Sequence, residues 1–374
     1  MTDFSDAEFE ARAEKAQALM APAKLDAIWL TTEAEVRYFT GFRTLFWHSP
    51  TRPWHVILPA KGAPIAIIPA IGADLMAATW VDDIRTWPSP RGTDEGVSLL
   101  IAALSGMDRI GVPMGPEASL RQPLNDFHAV MQAISAELVD CTPLIQTLRF
   151  VKSEAELAII RQICAIGSAA FARAPDLFCA GQPLSAAFRA FKIALLEEGA
   201  EDVPYLVGGA GPDGYGDVIS PPSDTPLADG DVLMLDTGAT LQGYFCDFDR
   251  NFALTHASDA ARTAYAKLYR ATEAGMAAAR PGATCAELFA AMAAELGGDS
   301  NIGRLGHGLG MQLTEWPSIA AFDQTVLKPG MVMTLEPSVG VTEATMMVQE
   351  ENILITEDAP ILLTTRAAPE LPVI

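Results

Sequence analysis

Residues 231–251, DVLMLDTGATLQGYFCDFDRN, constrain this chain more than any other stretch. They read as two apolar strands joined by a tight connection, with Asp236 in the first and Asp247 in the second. A four-residue turn over 240–243, with glycine in its common last position, pairs Thr240 with Gly243. The same register then places Asp236 directly opposite Asp247. Like charges facing one another across a sheet are destabilising. The flanks (Val232, Leu233, Met234, Leu235, Tyr244, Phe245, Phe248) are too apolar for a solvated face. A positive group is therefore expected between the two aspartates, and a divalent cation is the simplest one. An acidic surface hairpin is the alternative for this stretch taken alone.

The rest of the chain narrows the setting. Its 374 residues suggest two domains or one large one. With 50% apolar and 19% charged residues it can bury a sizeable core. The 47 acidic and 25 basic side chains give a net charge of −22, which argues against nucleic acid and anionic membrane surfaces as partners. The first residues, MTDFSDAEFEARAEKAQ, lack the basic and apolar regions of a signal peptide. No uninterrupted apolar run reaches the roughly 18 residues a membrane span needs. The five cysteines are scattered, with no CxxC spacing, and read as reduced thiols of a cytoplasmic protein.

Taken in order, the chain predicts a helix over 5–21 opened by a Ser5–Glu8 capping box, and then a short buried strand, LDAIWLTT. An aromatic loop carries Trp47 and His48, either as a packed domain edge or as a substrate wall. Helix and strand patterns alternate onward to Asp140, which indicates an α/β domain. The sequence Gly111-Val112-Pro113-Met114-Gly115 lacks the order of a phosphate-binding glycine loop. A boundary falls within 148–153, giving domains 1–149 and 150–374. A long helix begins after Ser153, with Glu156 completing a capping box. Further helices are expected at about 185–198, 258–279 and 284–296, and a glycine-rich loop over 207–214 precedes the opening hairpin.

Three more places could carry chemistry. His307 lies in Gly306-His307-Gly308-Leu309-Gly310, alone among the five histidines in standing between glycines. Glu336 ends an apolar strand that follows Pro329-Gly330. Glu350 and Glu351 interrupt another apolar strand, and alternation lets only one of them face a given site. Each has a structural alternative, a hydrogen-bonded core histidine or a charged strand edge. Together they supply Asp236, Asp247, His307, Glu336 and Glu350 in order. Four carboxylates and an imidazole could hold two divalent ions. Oxygen-rich ligation suits Mn²⁺ and tolerates Co²⁺, Fe²⁺ or Zn²⁺.

This constellation resembles the metallopeptidases of the pita-bread fold, the family of methionine aminopeptidase, aminopeptidase P, prolidase and creatinase. The carriers are Asp236-Thr237-Gly238, the run 244–250, Gly306–Gly310, Leu335-Glu336-Pro337 and the run 350–356, so the resemblance covers the chain from about 152 to its end. The 37–41 stretch and the size of the first domain are similar to the smaller N-terminal domain of the prolidase and creatinase branch. The resemblance implies an α+β protein: a C-terminal pita-bread catalytic domain preceded by a smaller α/β creatinase-like domain. It implies that Asp247 and Glu350 bridge two metals, Asp236 chelates one, and His307 and Glu336 bind the other. It also implies that Glu336 shuttles a proton to the leaving nitrogen while a metal-bridging hydroxide attacks.

Two departures bear on the substrate. The family's peptidases commonly carry a histidine seven residues after the metal histidine, and here Thr314 stands there, followed by the matching Glu315 and Pro317. Another family histidine usually precedes the first hairpin strand, where this chain has Ser220. The expected function is a cytoplasmic di-metal hydrolase of the Xaa-Pro dipeptidase and aminopeptidase kind, acting on a small peptide or amide. Thr314, Glu315, Ser220, Trp47 and His48 are its candidate substrate contacts. The alternatives are a non-peptide C–N hydrolase or lyase on the same scaffold (ectoine hydrolase-, creatinase- or sulfonium-lyase-like) and a non-catalytic binding protein. The resemblance further implies a homodimer in which the Trp47–His48 loop meets the partner's pocket.

Overall fold

The computed structural model describes residues 3–49, 52–298 and 303–374. Two compact units divide it, Met1–Arg149 and Phe150–Ile374. In the first, strands β1 (Ala27–Leu30), β2 (His55–Pro59), β3 (Ile65–Pro69), β4 (Asp83–Trp87), β5 (Arg109–Val112) and β6 (Glu137–Asp140) form one sheet in the order β4-β3-β2-β1-β5-β6. Helices α1 (Asp6–Ala23), α2 (Glu33–Thr40), α3 (Ala73–Ala77), α4 (Val97–Leu104), α5 (Leu124–Ala133) and α6 (Thr142–Phe150) alternate with the strands. All four residues of β1 are buried, as the near-continuous apolar run of a central strand requires. Trp29, Ile57, Ile67 and Ile110 pack there with Leu100, Leu104 and Val130 from α4 and α5. Ser5 is the N-cap of α1, but its side chain makes no cap bond. The expected capping box fails because the Glu8 carboxylate accepts from Arg12 Nε at 3.1 Å, one turn along.

The second unit carries the helices α7 (Glu154–Ala172), α8 (Ala174–Leu177), α9 (Leu184–Glu197), α10 (Asp259–Ala278) and α11 (Cys285–Leu296). Capping boxes at Ser153–Glu156 and Thr284–Glu287 open α7 and α11. By length and composition α7 could cross a membrane, although polar residues interrupt its apolar run. More than half of its apolar window is buried in the protein, as for a core helix. Strands β7 (Asp202–Pro212), β8 (Asp231–Leu241), β9 (Tyr244–Phe245) and β10 (Phe248–Ala253) form one sheet with β8 at its centre. The glycine-rich stretch expected as a loop over 207–214 lies mostly within β7. Strands β11 (His307–Gly308), β12 (Glu315–Ser318), β13 (Val332–Leu335), β16 (Glu351–Leu354) and β17 (Ile361–Leu362) form a second sheet, and β14 (Ser338–Gly340) pairs with β15 (Met346–Val348). Val232 and Met234 of β8, Met333 and Leu335 of β13 and Ile353 of β16 share one core with Leu268, Leu288 and Met292 of α10 and α11.

The hairpin register differs from the expected one. Leu241 pairs with Tyr244, so the turn keeps two central residues but lies one position further along, at Gln242 and Gly243 rather than at 241 and 242. Both have positive φ, 48° and 76°, as the tight hairpin turn that matches strand twist demands. Asp236 consequently faces Asp249. Asp247 lies between β9 and β10, off the paired ladder. The register has moved by an even number of positions, which leaves every side chain on its original face. Asp236 and Asp247 thus keep the same side of the sheet, now as diagonal neighbours.

Candidate metal centre

Asp236 sits in mid-β8, following Val232 and Met234 on the same face. His307 opens β11, Glu336 directly follows β13, and Glu350 directly precedes β16. Gly306 lets β11 come this close: a Cβ there would stand 2.2 Å from the Thr334 carbonyl oxygen, and its φ is +139°. The main-chain N–H of His307 then donates to Thr334 Oγ1 at 3.2 Å, and that of Glu336 to the Leu305 carbonyl at 2.9 Å. Asp247, His307 and Glu350 bring one ligand atom each to within 4.8 Å of one another, and all three are buried. His307 Nε2 is 3.5 Å from Asp247 Oδ2.

The electrostatics of this cluster ask for a cation. His307 Nδ1 lies 2.9 Å from the Gly308 carbonyl, which places the ring proton on Nδ1 and leaves a lone pair on Nε2. Burial pulls the imidazole down to about 4, so it is neutral at pH 7 and offers Asp247 no ion pair. Burial, with Asp236 and Glu336 nearby, holds the Asp247 carboxyl well above the usual range. Glu350 is raised by burial and by Asp247. Asp236, where burial and then Glu336 act, is pushed up to about 7. Asp236 Oδ1 and Glu350 Oε1 are sealed from solvent with no hydrogen-bond partner. A buried carboxylate oxygen without a donor is costly. A divalent ion satisfies it, so this donor set of carboxylate oxygens and one imidazole nitrogen fits one.

The paired glutamates divide as alternation requires. Glu351 points away and is fully engaged: Arg250 Nη2 at 2.8 Å, Arg366 Nη1 at 3.0 Å, the Ala367 N–H at 2.8 Å and the Thr364 hydroxyl all donate to it. Of the candidate substrate contacts, Glu315 is committed elsewhere. Its Oε2 accepts from Lys152 Nζ at 3.1 Å and its Oε1 from the Gln312 N–H at 3.1 Å, in a buried ion pair. Thr314 is half-buried, and its hydroxyl lies 3.5 Å from Arg304 Nη2. Ser220 is exposed, and its N–H donates to Asp217 Oδ1 at 3.1 Å. Trp47 and His48 belong to the first unit, in a 3-10 turn over Leu45–His48, with the Arg121 guanidinium 5.1 Å from the Trp47 ring.

Four residues near the ligands escaped the sequence reading. Asp249, 1% exposed, faces Asp236 and is likewise raised by burial and by Asp236. Its parity with Asp247 was the available signal. The half-buried Tyr205 hydrogen-bonds the Asp236 carboxylate through its hydroxyl. The Arg304 guanidinium lies close enough to lower Asp247 and Glu336 against the larger upward push of burial. Asn352 hydrogen-bonds the backbone of Asp247. None of these last three carries a spacing signature.

Known proteins match the chain in both units. The family model described as Metallopeptidase family M24 matches residues 158–357, and that of the Creatinase/Prolidase N-terminal domain matches residues 12–151. The chain is 28% identical over 373 residues to a probable dipeptidase PepE of Mycobacterium tuberculosis, covering 95% of this chain and 94% of that protein. It is 31% identical over 231 residues to a Xaa-Pro dipeptidase of Pyrococcus furiosus, covering 59% of this chain and 65% of that one. The crystal structure of dipeptidase PepE from Mycobacterium ulcerans superposes with a TM-score of 0.86 at 26% identity, over 99% of each chain. The architecture is the expected one, a creatinase-like N-terminal domain followed by a pita-bread domain.

Proposed function

Because the chain belongs to metallopeptidase family M24, we propose that this metallohydrolase cleaves small dipeptides, with proline after the scissile bond, using two divalent ions held by Asp236, Asp247, His307, Glu336 and Glu350. The observation that carries the reading is the buried Asp247–His307–Glu350 cluster, whose atoms lie within 4.8 Å of one another. When bound, the two ions supply acidification of water and polarisation of the scissile carbonyl. The chain's own residues do the rest. Asp247 and Glu350 would help to hold both ions, Asp236 would serve one of them, and His307 and Glu336 the other. Glu336 takes the proton of the attacking water as the carbon–oxygen bond forms. It returns that proton to the nitrogen as the carbon–nitrogen bond breaks. Tyr205 holds the Asp236 carboxylate in orientation through its hydroxyl. Thr314, beside Arg304, supports a polar end to the substrate site. Mn²⁺ is the ion best suited to four carboxylates and one imidazole.

The protein is further read as a cytoplasmic homodimer. Four of its five cysteines are buried free thiols, which suits a reducing compartment. Leu45, at the start of the aromatic turn, is 85% exposed and suits a contact with a second copy. Light scattering on the Leu45→Glu variant tests this, and an unchanged mass of two chains removes the loop from the interface.

The deciding experiment is a hydrolysis screen with Mn²⁺-loaded protein against Xaa-Pro dipeptides and non-peptide amides. Dipeptide cleavage is expected, lost in Glu336→Gln without unfolding. Failure to take up either Mn²⁺ or Co²⁺ would sink the metal reading altogether. A second reading, a non-peptide C–N hydrolase, is favoured by one observation: Thr314 and Ser220 replace both family histidines, and Ser220 lies exposed on its own local turn. Metal uptake with no cleavage of any dipeptide selects it. Thr314→His should raise dipeptide cleavage under the first reading.

A further inference from the structure

The buried backbone around Asp247 raises an accounting problem. Asp247 is 4% exposed and lies outside the paired strands, so no strand partner takes its N–H and carbonyl. Both must be satisfied from elsewhere. The Asn352 carboxamide does so alone. Its Oδ1 accepts from the Asp247 N–H at 3.0 Å, and its Nδ2 donates to the Asp247 carbonyl. Cys164 of α7 donates its thiol to the same Oδ1 at 3.4 Å. Two donors on one end and an acceptor on the other fix which way the amide points. Asn352 is fully buried, so water does not compete for these bonds.

On the paired strand, Asn352 faces Thr334 directly. Thr334, also fully buried, accepts the main-chain N–H of His307 at 3.2 Å. Two facing residues of β13 and β16 thus each hold the backbone of one member of a close pair in the cluster, Asp247 and His307, 3.5 Å apart. Asn352 also lies two residues from Glu350 on the same segment. One cross-strand pair therefore fixes the spacing of ligands drawn from separate sheets.

We propose that Thr334 and Asn352 are positioning residues, a matched pair that presets Asp247 and His307 at cation-binding separation. They touch neither the cation nor the substrate and act through the backbone of the ligands. The pair acts on the spacing of Asp247 and His307 and not on the apolar core, so it matters for affinity more than for folding. Supports of this kind orient ligands and typically change metal affinity by about 10–100-fold when removed. The inference rests on the assignment of Asp247 as a ligand.

The test is calorimetric titration of chelator-stripped full-length protein with Mn²⁺, alongside the melting temperature of each metal-free variant. Asp247→Asn serves as the reference and should lose at least one ion. Asn352→Ala should weaken that same ion by about 10–100-fold, and the near-isosteric Thr334→Val by about tenfold. The double variant should lose less than the product of the two, because both act on one separation. Leu288→Ala, which destabilises the shared core without touching the site, should leave affinity unchanged. Wild-type Mn²⁺ affinity in both Asn352→Ala and Thr334→Val, with Asp247→Asn impaired, overturns the positioning role and spares the ligand assignment. Wild-type affinity in Asp247→Asn overturns both. An equal loss in Leu288→Ala reduces the pair to a structural contribution and also refutes the proposal. If Asn352→Ala does not fold, Asn352→Ser, which keeps one hydrogen bond, and Thr334→Val decide the outcome.

Discussion

Replacing Asp236 by asparagine should stabilise the metal-free protein while removing a proposed metal ligand. In the folded chain the Asp236 carboxyl is pushed up from 3.8 to about 7, first by burial and then by Glu336. Below pH 3.8 both the folded and unfolded chains carry the proton, and the group is neutral in its effect. Between 3.8 and about 7 the folded chain keeps a proton that the unfolded chain has released, so stability falls as pH rises. Above about 7 the full penalty applies, about 4 kcal/mol from the shift and nearer 2 kcal/mol once partial solvent contact is allowed for. Asparagine carries no such charge and can still accept from the Tyr205 hydroxyl. In a unit of this size each kcal/mol moves the melting point by roughly 2–4 °C. Scanning calorimetry in EDTA at pH 8 should therefore show Asp236→Asn melting about 4–16 °C above wild type, in the transition that responds to Mn²⁺. At pH 4 the two should coincide. With Mn²⁺ present the order should reverse, because the wild type gains binding energy that the variant has lost. An EDTA melting point for Asp236→Asn at or below wild type at pH 8 would refute the claim that the cluster is strained without its ions.

In the first unit, His55 is fully buried with Trp29 Nε1 donating to its Nδ1 at 3.2 Å, and burial pulls its imidazole from 6.5 down to about 3. Stability should be complete above pH 6.5 and decline as pH falls toward 3, by up to about 5 kcal/mol, and urea titrations of His55→Gln should show a flatter acid limb. Glu351→Gln should destabilise the second unit by about 3 kcal/mol in chelator, since it strips a buried charge from Arg250 and Arg366. Thermal melts of Glu351→Gln check that value, and a shift under 2 °C would count against it. Gly306→Ala should cost about 1–3 kcal/mol and weaken Mn²⁺ binding, because its Cβ would stand 2.2 Å from the Thr334 carbonyl and displace His307. Mn²⁺ titration with the wild-type constant in Gly306→Ala would contradict it.

The sequence by itself determined what depends on residue type and order. Apolar flanks around Asp236 and Asp247 required a buried hairpin, and burial of two carboxylates required a counter-charge. Strand alternation separated Glu350 from Glu351, and the structure gives the two the different environments that follow. Even the misplaced turn did no harm to the face, because moving it by one residue shifts each cross-strand partner by two. The capping box at Ser153 was legible because both partners lie within one helical turn. At Ser5 the same pattern misled, since Arg12 competes for the same carboxylate from the next turn.

What only the tertiary structure decided are contacts between residues far apart in the chain. Glu315 carries a motif position, yet Lys152, 163 residues away, accounts for its carboxylate. Tyr205, Arg304 and Asn352 acquire their relation to the ligands through strand pairing and loop placement, neither of which leaves a local mark. Asn352 shows the reason most plainly. A carboxamide in an apolar strand reads as a blemish until Asp247, 105 residues earlier, is seen to lack backbone partners. Local chemistry told which groups had to be neutralised, and long-range geometry alone told which groups hold them in place.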